Sequence, residues 1–381
     1  MTTSKIHVLF AIPSLDRGGP DRVMFEILST IDRTRFVPSL MVTEPGGHYL
    51  SKLPKDIPVE VLGGSTLARR YPVVQALRFI RKTRPDVVFA TLRMNLTLGM
   101  IAPLLPRGTR LVLRPASPVS ADFSALMKNS MIKHRVARQI LVSTLRRADA
   151  VVCQSLAMQA DLGKLFGGTA NLHVVANPID VTEVTRAATA TKVALRGRPA
   201  LVSVARLVPL KGYDVLLRAL VAVRDRHPDV HLTILGEGAE RDKLETIIRE
   251  LGLTETVTLT GYVTEPLPYV RAADLFVLTS HYDAFCNAAL EALACGTPVV
   301  LTDCPGANSE LVSRGLNGQL VPTVDPAAIA ASIELAIAEL ASYDRERIQA
   351  DIRRRYASGH IVNAYERVLA SVTEARLEIR A

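Results

Sequence analysis

Short runs of apolar residues, each followed by a stretch of helical periodicity, recur from one end of the chain to the other. The runs are apolar throughout rather than alternating, which suits strands covered on both faces. In the first half they predict strands at Ile6–Ile12, Val37–Val42, Val59–Leu62, Val87–Thr91, Leu111–Arg114, Ala150–Cys153 and Leu172–Val175. In the second half they predict Ala200–Val204, His231–Leu235, Val257–Thr260, Leu275–Leu278 and Pro298–Leu301, with helices such as Tyr213–Arg226 and Glu240–Leu251 between them. Alternation of this kind implies doubly wound parallel sheets, and there is enough of it for two. The 381 residues also favour two domains.

The break falls near Asn177–Gly197, where the apolar periodicity lapses before a new strand opens at Ala200. The expected organisation is therefore an N-terminal Rossmann-like domain at 1–178, a linker at 179–198, a second Rossmann-like domain at 199–360 and a last helix at 361–381 returning to the first domain. Ligands of open parallel sheets bind outside the carboxyl ends of the strands. Two such domains facing each other would form a cleft with ligands on opposite walls.

Charge is unevenly spread. Residues 1–190 hold 25 Lys+Arg and 13 Asp+Glu, or +12, whereas residues 191–381 hold 21 and 24, or −3. The first half is therefore expected to meet something acidic, such as phospholipid, nucleic acid or a phosphorylated molecule. The four cysteines, Cys153, Cys286, Cys295 and Cys304, have no CxxC spacing and read as reduced thiols of a cytosolic protein. The histidines are scattered, so no metal site is expected. The first apolar run is too short for a signal peptide. No uncharged run reaches the ~18 residues of a membrane span.

Three segments carry chemistry. Ser203-Val-Ala-Arg-Leu-Val-Pro-Leu-Lys-Gly212 leaves a strand and enters a helix, which puts Arg206 and Lys211 at a strand's carboxyl end near a helix N-terminus. Two cations and free backbone N–H groups there suit a diphosphate; a solvated basic loop is the ordinary alternative. Leu232-Thr-Ile-Leu-Gly-Glu-Gly-Ala239 ends a strand in Gly236-x-Gly238, which permits close backbone approach to a ligand or forms a tight strand-to-helix turn. Leu278 to Val300 is the richest. Asp283 sits in the loop after a strand, and Asn287 and Glu291, four apart, share a face of the following helix. Glu291 lies among alanines and leucines, and a carboxylate there needs a partner. A ribose diol would serve, as would a salt bridge or solvent.

The order Arg206…Lys211, Gly236-x-Gly238, Gly261-Tyr-Val263, Asp283-x7-Glu291 and Ala294-Cys-Gly-Thr-Pro-Val-Val300 resembles the retaining glycosyltransferases of family 4, which have the GT-B fold. The likeness extends to Gly18-Gly19, Asn177-Pro-Ile-Asp180 and the Tyr365 helix. It implies sugar transfer from a nucleotide-diphosphate sugar, without a cofactor or metal, to a lipid-linked or glycan acceptor in cell-surface glycan synthesis. Arg206 and Lys211 would hold the donor diphosphate, and Glu291 the ribose. Asp283 would face the transferred sugar. The backbone of Asn287 and Ala288 would cap phosphate or sugar oxygens, with Gly236 and Val263 in the same donor site and Gly19 approaching it from the N-terminal domain. Three positions depart from the family pattern: Asp283 for Glu, Ala284 for Gly and Thr279 for Pro. The loop Leu113-Arg-Pro-Ala-Ser-Pro118 also lacks the family's His, for which Arg114 or Ser117 are candidate replacements. A sugar-nucleotide epimerase of the same fold remains an alternative, and a nucleic-acid-binding module, suggested by charge alone, a more remote one.

Phe123 to Ala148 contains Lys128, Lys133, Arg135, Arg138, Arg146 and Arg147 and no acidic residue, interleaved with Leu126, Met131, Ile132, Val136 and Ile140. This reads as an element that lies on an anionic membrane surface, as expected of a cytoplasmic protein peripheral to the inner face of the plasma membrane. A helix packed on its own domain is the alternative. Nucleic acid is not an expected partner, because aromatics are 5% of residues and Trp is absent, leaving few stacking platforms.

Overall fold

The structure, a computed structural model, describes residues 5–16, 18–63, 72–116 and 131–378, with the backbone alone for 131–138 and 375–378. The chain divides into two units, Met1–Pro178 with Ser358–Ala381, and Ile179–Ala357.

The first unit is built on seven parallel strands: β1 (Ile6–Ala11), β2 (Phe36–Val42), β3 (Val59–Val61), β4 (Val87–Thr91), β5 (Arg110–Arg114), β6 (Ala150–Cys153) and β7 (Leu172–Val174), in the order β3-β2-β1-β4-β5-β6-β7. The central strands are buried on both faces, as their unbroken apolar runs require. Phe10 of β1, Phe89 of β4 and Tyr365 of the C-terminal helix Ser358–Glu378 pack in sequence, with ring centroids 5.4 and 5.9 Å apart. Glu366 of that helix accepts from Asp32 N at 2.7 Å, and Ser358 Oγ donates to Glu26 at 3.0 Å. The helix is thus fastened by packing at its centre and by polar contacts along its length.

The second unit has six parallel strands: β8 (Ala200–Val204), β9 (His231–Leu235), β10 (Val257–Gly261), β11 (Leu275–Leu278), β12 (Val299–Thr302) and β13 (Gly318–Val321), in the order β10-β9-β8-β11-β12-β13. Strand order reverses between β8 and β11, the topological switch point at which doubly wound sheets leave room for a ligand. The helix Tyr213–Arg226 follows β8, and the eight-residue helix Asn287–Ala294 follows β11.

Two elements differ from the sequence expectation. β13 was not foreseen. Two of the four residues of its Gly-Gln-Leu-Val are apolar, against three of four in the neighbouring β12, and its polar Gln319 is buried because the side-chain amide donates to Glu339 at 2.6 Å. The stretch 179–198, read as a linker, holds the helix Val181–Thr189. Asp180 caps it, accepting from Thr182 N at 2.9 Å and Glu183 N at 3.0 Å, and Val181, Val184 and Ala188 face inward. The four cysteines are buried, and none of them is in a disulfide. Among the described residues no helix is long and apolar enough to cross a membrane.

Candidate functional site

The loop after β8 occupies the centre of the second unit's carboxyl edge, held between its two neighbours. On the β9 side, Ala205 N donates to Leu235 O at 3.2 Å, Leu207 N to Glu237 O at 2.9 Å and Glu240 N to Leu207 O at 3.0 Å. A Cβ on Gly236 would lie 1.9 Å from Ala205 O, and one on Gly238 would lie 2.2 Å from Leu207 O. The close approach these two glycines permit on their Cβ side is therefore with the protein's own backbone.

On the β11 side, His281 N donates to Leu210 O at 2.9 Å, and the buried Thr279 hydroxyl donates to Gly212 O at 3.0 Å. This last contact gives Thr279, one of the three family departures, a job in fastening the loops. The next loop over, after β12, fixes Asp283. Asp283 N donates to Pro305 O at 3.2 Å, and Gly306, at φ +147°, sits so close that a Cβ there would be 1.5 Å from Asp283 O. Only glycine fits at that position.

Across the switch point Lys211 Nζ donates to Asp283 Oδ2 at 2.6 Å, with the two side chains 15% and 17% exposed. The pair is the centre of the candidate site. Burial alone would lower the Lys211 pKa; the Asp283 charge and hydrogen bond overcome it and hold the ammonium above its ordinary value. An ammonium has three N–H donors, and Asp283 is the one acceptor found for it among the described residues. Lys211 therefore keeps capacity for an anion placed beside it. Arg206, two residues after β8, is exposed, with no side-chain hydrogen bond or ion pair among the described residues.

The helix Asn287–Ala294 begins four residues after Asp283, and the N–H groups of Asn287 and Ala288 belong to its first turn, where no intrahelical acceptor exists. Glu291 lies one turn on, on the same half-buried side as Asn287, while Ala289, Leu290 and Ala292–Ala294 are buried. Lys211, Asp283, Asn287, Ala288 and Glu291 thus lie on the loop–helix elements that flank the reversal between β8 and β11. Val263 lies apart from them, half-buried after the edge strand β10. Gly19 belongs to the first unit, as the first residue of the helix Gly19–Thr30, beside Asp21, whose carboxylate accepts from Gly18 N at 2.9 Å. Burial raises the Asp21 pKa to about 6, against the lowering effect of that hydrogen bond.

Sequence reasoning missed the loop after β12. Cys304-Pro-Gly306 there follows an apolar run and carries a turn signal, the one clue that it meets Asp283. It also missed that Cys286 and Cys304 both interact electrostatically with Lys211 and Asp283; burial pushes both thiols up to about 12, so they stay protonated beside the ion pair.

Arg114, a candidate for the family's missing His, is buried at the end of β5. Its guanidinium donates to Tyr365 Oη at 3.0 Å, to Thr91 Oγ1 at 3.5 Å and to Asn177 Oδ1, and its backbone is held by Asn95. These contacts commit it to tying β4, β5, the C-terminal helix and the residue before Pro178 together. Ser117 lies outside the described residues, as do Phe123–Ser130 and the side chains of Lys133, Arg135 and Arg138. The backbone of Met131–Arg146 is helical, and Arg146 at its end donates to Leu165 O and Phe166 O, both at 3.0 Å.

Residues 188–354 match the family model described as glycosyl transferases group 1, and residues 17–183 match that of glycosyltransferase family 4. A lipopolysaccharide core biosynthesis glycosyltransferase, LpsE of Rhizobium meliloti, is 30% identical over 258 residues, 67% of this chain and 73% of its own. The N-acetylgalactosamine-N,N'-diacetylbacillosaminyl-diphospho-undecaprenol 4-alpha-N-acetylgalactosaminyltransferase of Campylobacter jejuni is 28% identical over 322 residues, covering 81% of this chain and 84% of its own. Among solved structures, Anabaena HepE in complex with UDP-glucose superposes with a TM-score of 0.76 at 23% identity, covering 96% of this chain and 100% of its own.

Proposed function

The chain belongs to the group 1 glycosyl transferases and has their GT-B fold, and from that premise we propose that it moves a sugar from a nucleoside-diphosphate donor, bound by the second unit, to a lipid-linked or polysaccharide acceptor bound by the first, with retention at the anomeric carbon. The observation that carries this reading is the contact of Lys211 with Asp283 at 2.6 Å, at the reversal of strand order and beside a helix N-terminus. It puts a half-buried cation where the sheet leaves room for a ligand.

In this reading the bond between the anomeric carbon and the diphosphate breaks, and negative charge grows on the leaving phosphate oxygens. Lys211, Arg206 and the N–H groups of Asn287 and Ala288 stabilise that charge, which lowers the barrier more than it tightens donor binding. The acceptor oxygen bonds to the anomeric carbon on the face the diphosphate leaves, and its proton passes to a leaving phosphate oxygen. Glu291 accepts from the ribose hydroxyls. Asp283 keeps Lys211 charged and turns its second oxygen to the transferred sugar. The names of the relatives support the choice of substrates: the Campylobacter jejuni protein is named for a diphospho-undecaprenol acceptor, and HepE is solved with UDP and with UDP-glucose. A lipid-linked acceptor also suits the basic segment 123–148, which would rest on the anionic inner face of the plasma membrane.

A thermal-shift panel of UDP, GDP and their sugar derivatives tests the donor assignment, because a ligand that binds only the folded chain raises its melting temperature by mass action. One base is expected to raise it by several degrees at millimolar concentration, and Glu291→Gln to remove most of that rise. No response to any nucleoside diphosphate would overturn the donor assignment, and an undiminished response in Glu291→Gln would overturn the ribose contact.

A further inference from the structure

One helical layer of the first unit carries a surface that the donor site does not use. The helix Val73–Thr83 packs on Met94–Ile101, which in turn packs on Met131–Arg146. On the first of these helices Val74, Arg78, Arg81 and Lys82 are exposed and stand at i, i+4, i+7 and i+8, a single stripe opposite the buried Ala76 and Ile80. Arg81 donates to Leu104 O at 3.3 Å, which brings the turn after Met94–Ile101 against that stripe.

Bulky apolar side chains stand out from the same layer: Val74 is 56% exposed, Leu104 53%, Ile140 46% and Met100 39%. Among the described residues none of Arg78, Arg81, Lys82, Arg84 and Arg107 is ion-paired; Glu60 lines a groove with Arg78 and Lys82 without pairing to either. From 72 to 116 the chain has eight basic residues and one acidic one, Asp86, whose carboxylate accepts from His7 N at 2.9 Å.

A solvated face mixes both signs of charge. The helix dipole favours Arg81 and Lys82 in a last turn, but it gives no reason for Val74, Met100 and Leu104 to stand in water. Cations interleaved with aliphatic side chains suit a lipid interface, where the apolar groups enter the headgroup boundary and the cations meet lipid phosphates. Nucleic acid would favour exposed aromatic platforms, and among the described residues none of the layer's exposed large side chains is aromatic.

We infer that the face formed by Val73–Thr83 and the Met100–Arg107 turn docks on an anionic lipid bilayer. The inference rests on the lipid-linked acceptor reading only for its purpose, which is to bring the enzyme to a membrane-held acceptor.

The full chain is sedimented with vesicles of phosphatidylcholine alone and of phosphatidylcholine with about a third phosphatidylglycerol, across a salt series. The parent is expected to pellet with the anionic vesicles at low salt, to be released as salt rises, and to ignore the neutral ones. Arg78→Glu/Arg81→Glu/Lys82→Glu is expected to lower the partition coefficient by at least about tenfold with an unchanged melting temperature, since all three side chains are exposed. Leu104→Ser is expected to lower it about threefold or more while leaving the salt slope intact. A parent that stays in the supernatant overturns the inference. So does a triple variant that pellets like the parent, which would move docking to another part of the chain, or a parent that binds a single-stranded oligonucleotide more tightly than the vesicles at the same salt. Transfer to a lipid-linked acceptor in detergent separates the two readings. A triple variant still active there, beside a parent that ignores vesicles, would sink the docking face alone. Vesicle binding by a parent that never uses such an acceptor would sink the acceptor reading alone.

Discussion

Lys211→Ala is expected to lower kcat by a factor on the order of 10² to 10³, while binding of the free nucleoside diphosphate weakens by about tenfold or less. The difference arises because charge on the leaving diphosphate is greater in the transition state than in the bound donor, so a cation at that place is worth more during bond breaking than before it. Lys211 suits this role because it is half-buried, and a charge interaction there is less screened than one at Arg206 on the surface. Arg206→Ala is accordingly expected to cost less. Steady-state rates and calorimetric binding of UDP or GDP by the parent and both variants check this. Equal loss of kcat and of diphosphate affinity would mean that Lys211 binds ground state and transition state alike. No loss in either would return it to the role of a structural partner for Asp283.

Asp283→Asn is expected to bring an alkaline limb into the pH profile of kcat/KM. In the parent the Asp283 charge holds the Lys211 ammonium above its ordinary 10.5 against the opposing effect of burial. Asparagine keeps a hydrogen-bond acceptor but removes the charge, so the main opposition to burial is gone and the ammonium loses its proton at a lower pH than in the parent. Activity that depends on a charged Lys211 should then fall as pH rises through the lowered value, whereas the parent stays level over the same range. The sign for stability is the same. A raised lysine pKa contributes stability that is present below 10.5 and lost as pH rises through the folded-state value, and the variant forfeits that contribution. It is expected to be less stable by about 1–3 kcal/mol, short of the cost of breaking a fully buried pair, because both side chains keep some exposure. Rates and melting temperatures between pH 7 and 10 give the two readouts. An unchanged profile would show that Asp283 does not set the charge of Lys211.

Much of the architecture could be read from the chain because buried parallel strands must be apolar on both faces. Val87–Thr91, Ala150–Cys153, Ala200–Val204, His231–Leu235 and Leu275–Leu278 are found with the boundaries the apolar runs predict. β13 escaped because a buried Gln319 satisfied by Glu339 looks polar in sequence. The helix Val181–Thr189 escaped because its inward residues, Val181, Val184 and Ala188, are few and stand among threonines and alanines.

The site was legible in its parts and not in its pairing. Nothing local in Lys211 or Asp283 says that they touch across 72 residues. That follows from β8 and β11 being neighbours, a property of strand order. Gly236 and Gly238 were legible as places of close approach, but not which backbone approaches. At Gly236 it is Ala205 and at Gly238 it is Leu207, both inside the protein, and Gly306, which meets Asp283, was not read as one at all.

The central claim is that a nucleotide sugar is cleaved at its diphosphate and the sugar passed to an acceptor. Phosphorus NMR of a panel of UDP- and GDP-sugars incubated with the protein, with and without a bacterial lipid extract as the source of acceptor, measures this directly. The account predicts that one nucleotide sugar is consumed, that free nucleoside diphosphate appears faster with the extract, and that Lys211→Ala abolishes most of the release. A nucleotide sugar converted to a different one with its diphosphate linkage intact, at a rate indifferent to the extract, would contradict it and point to an epimerase; so would a panel left wholly unchanged.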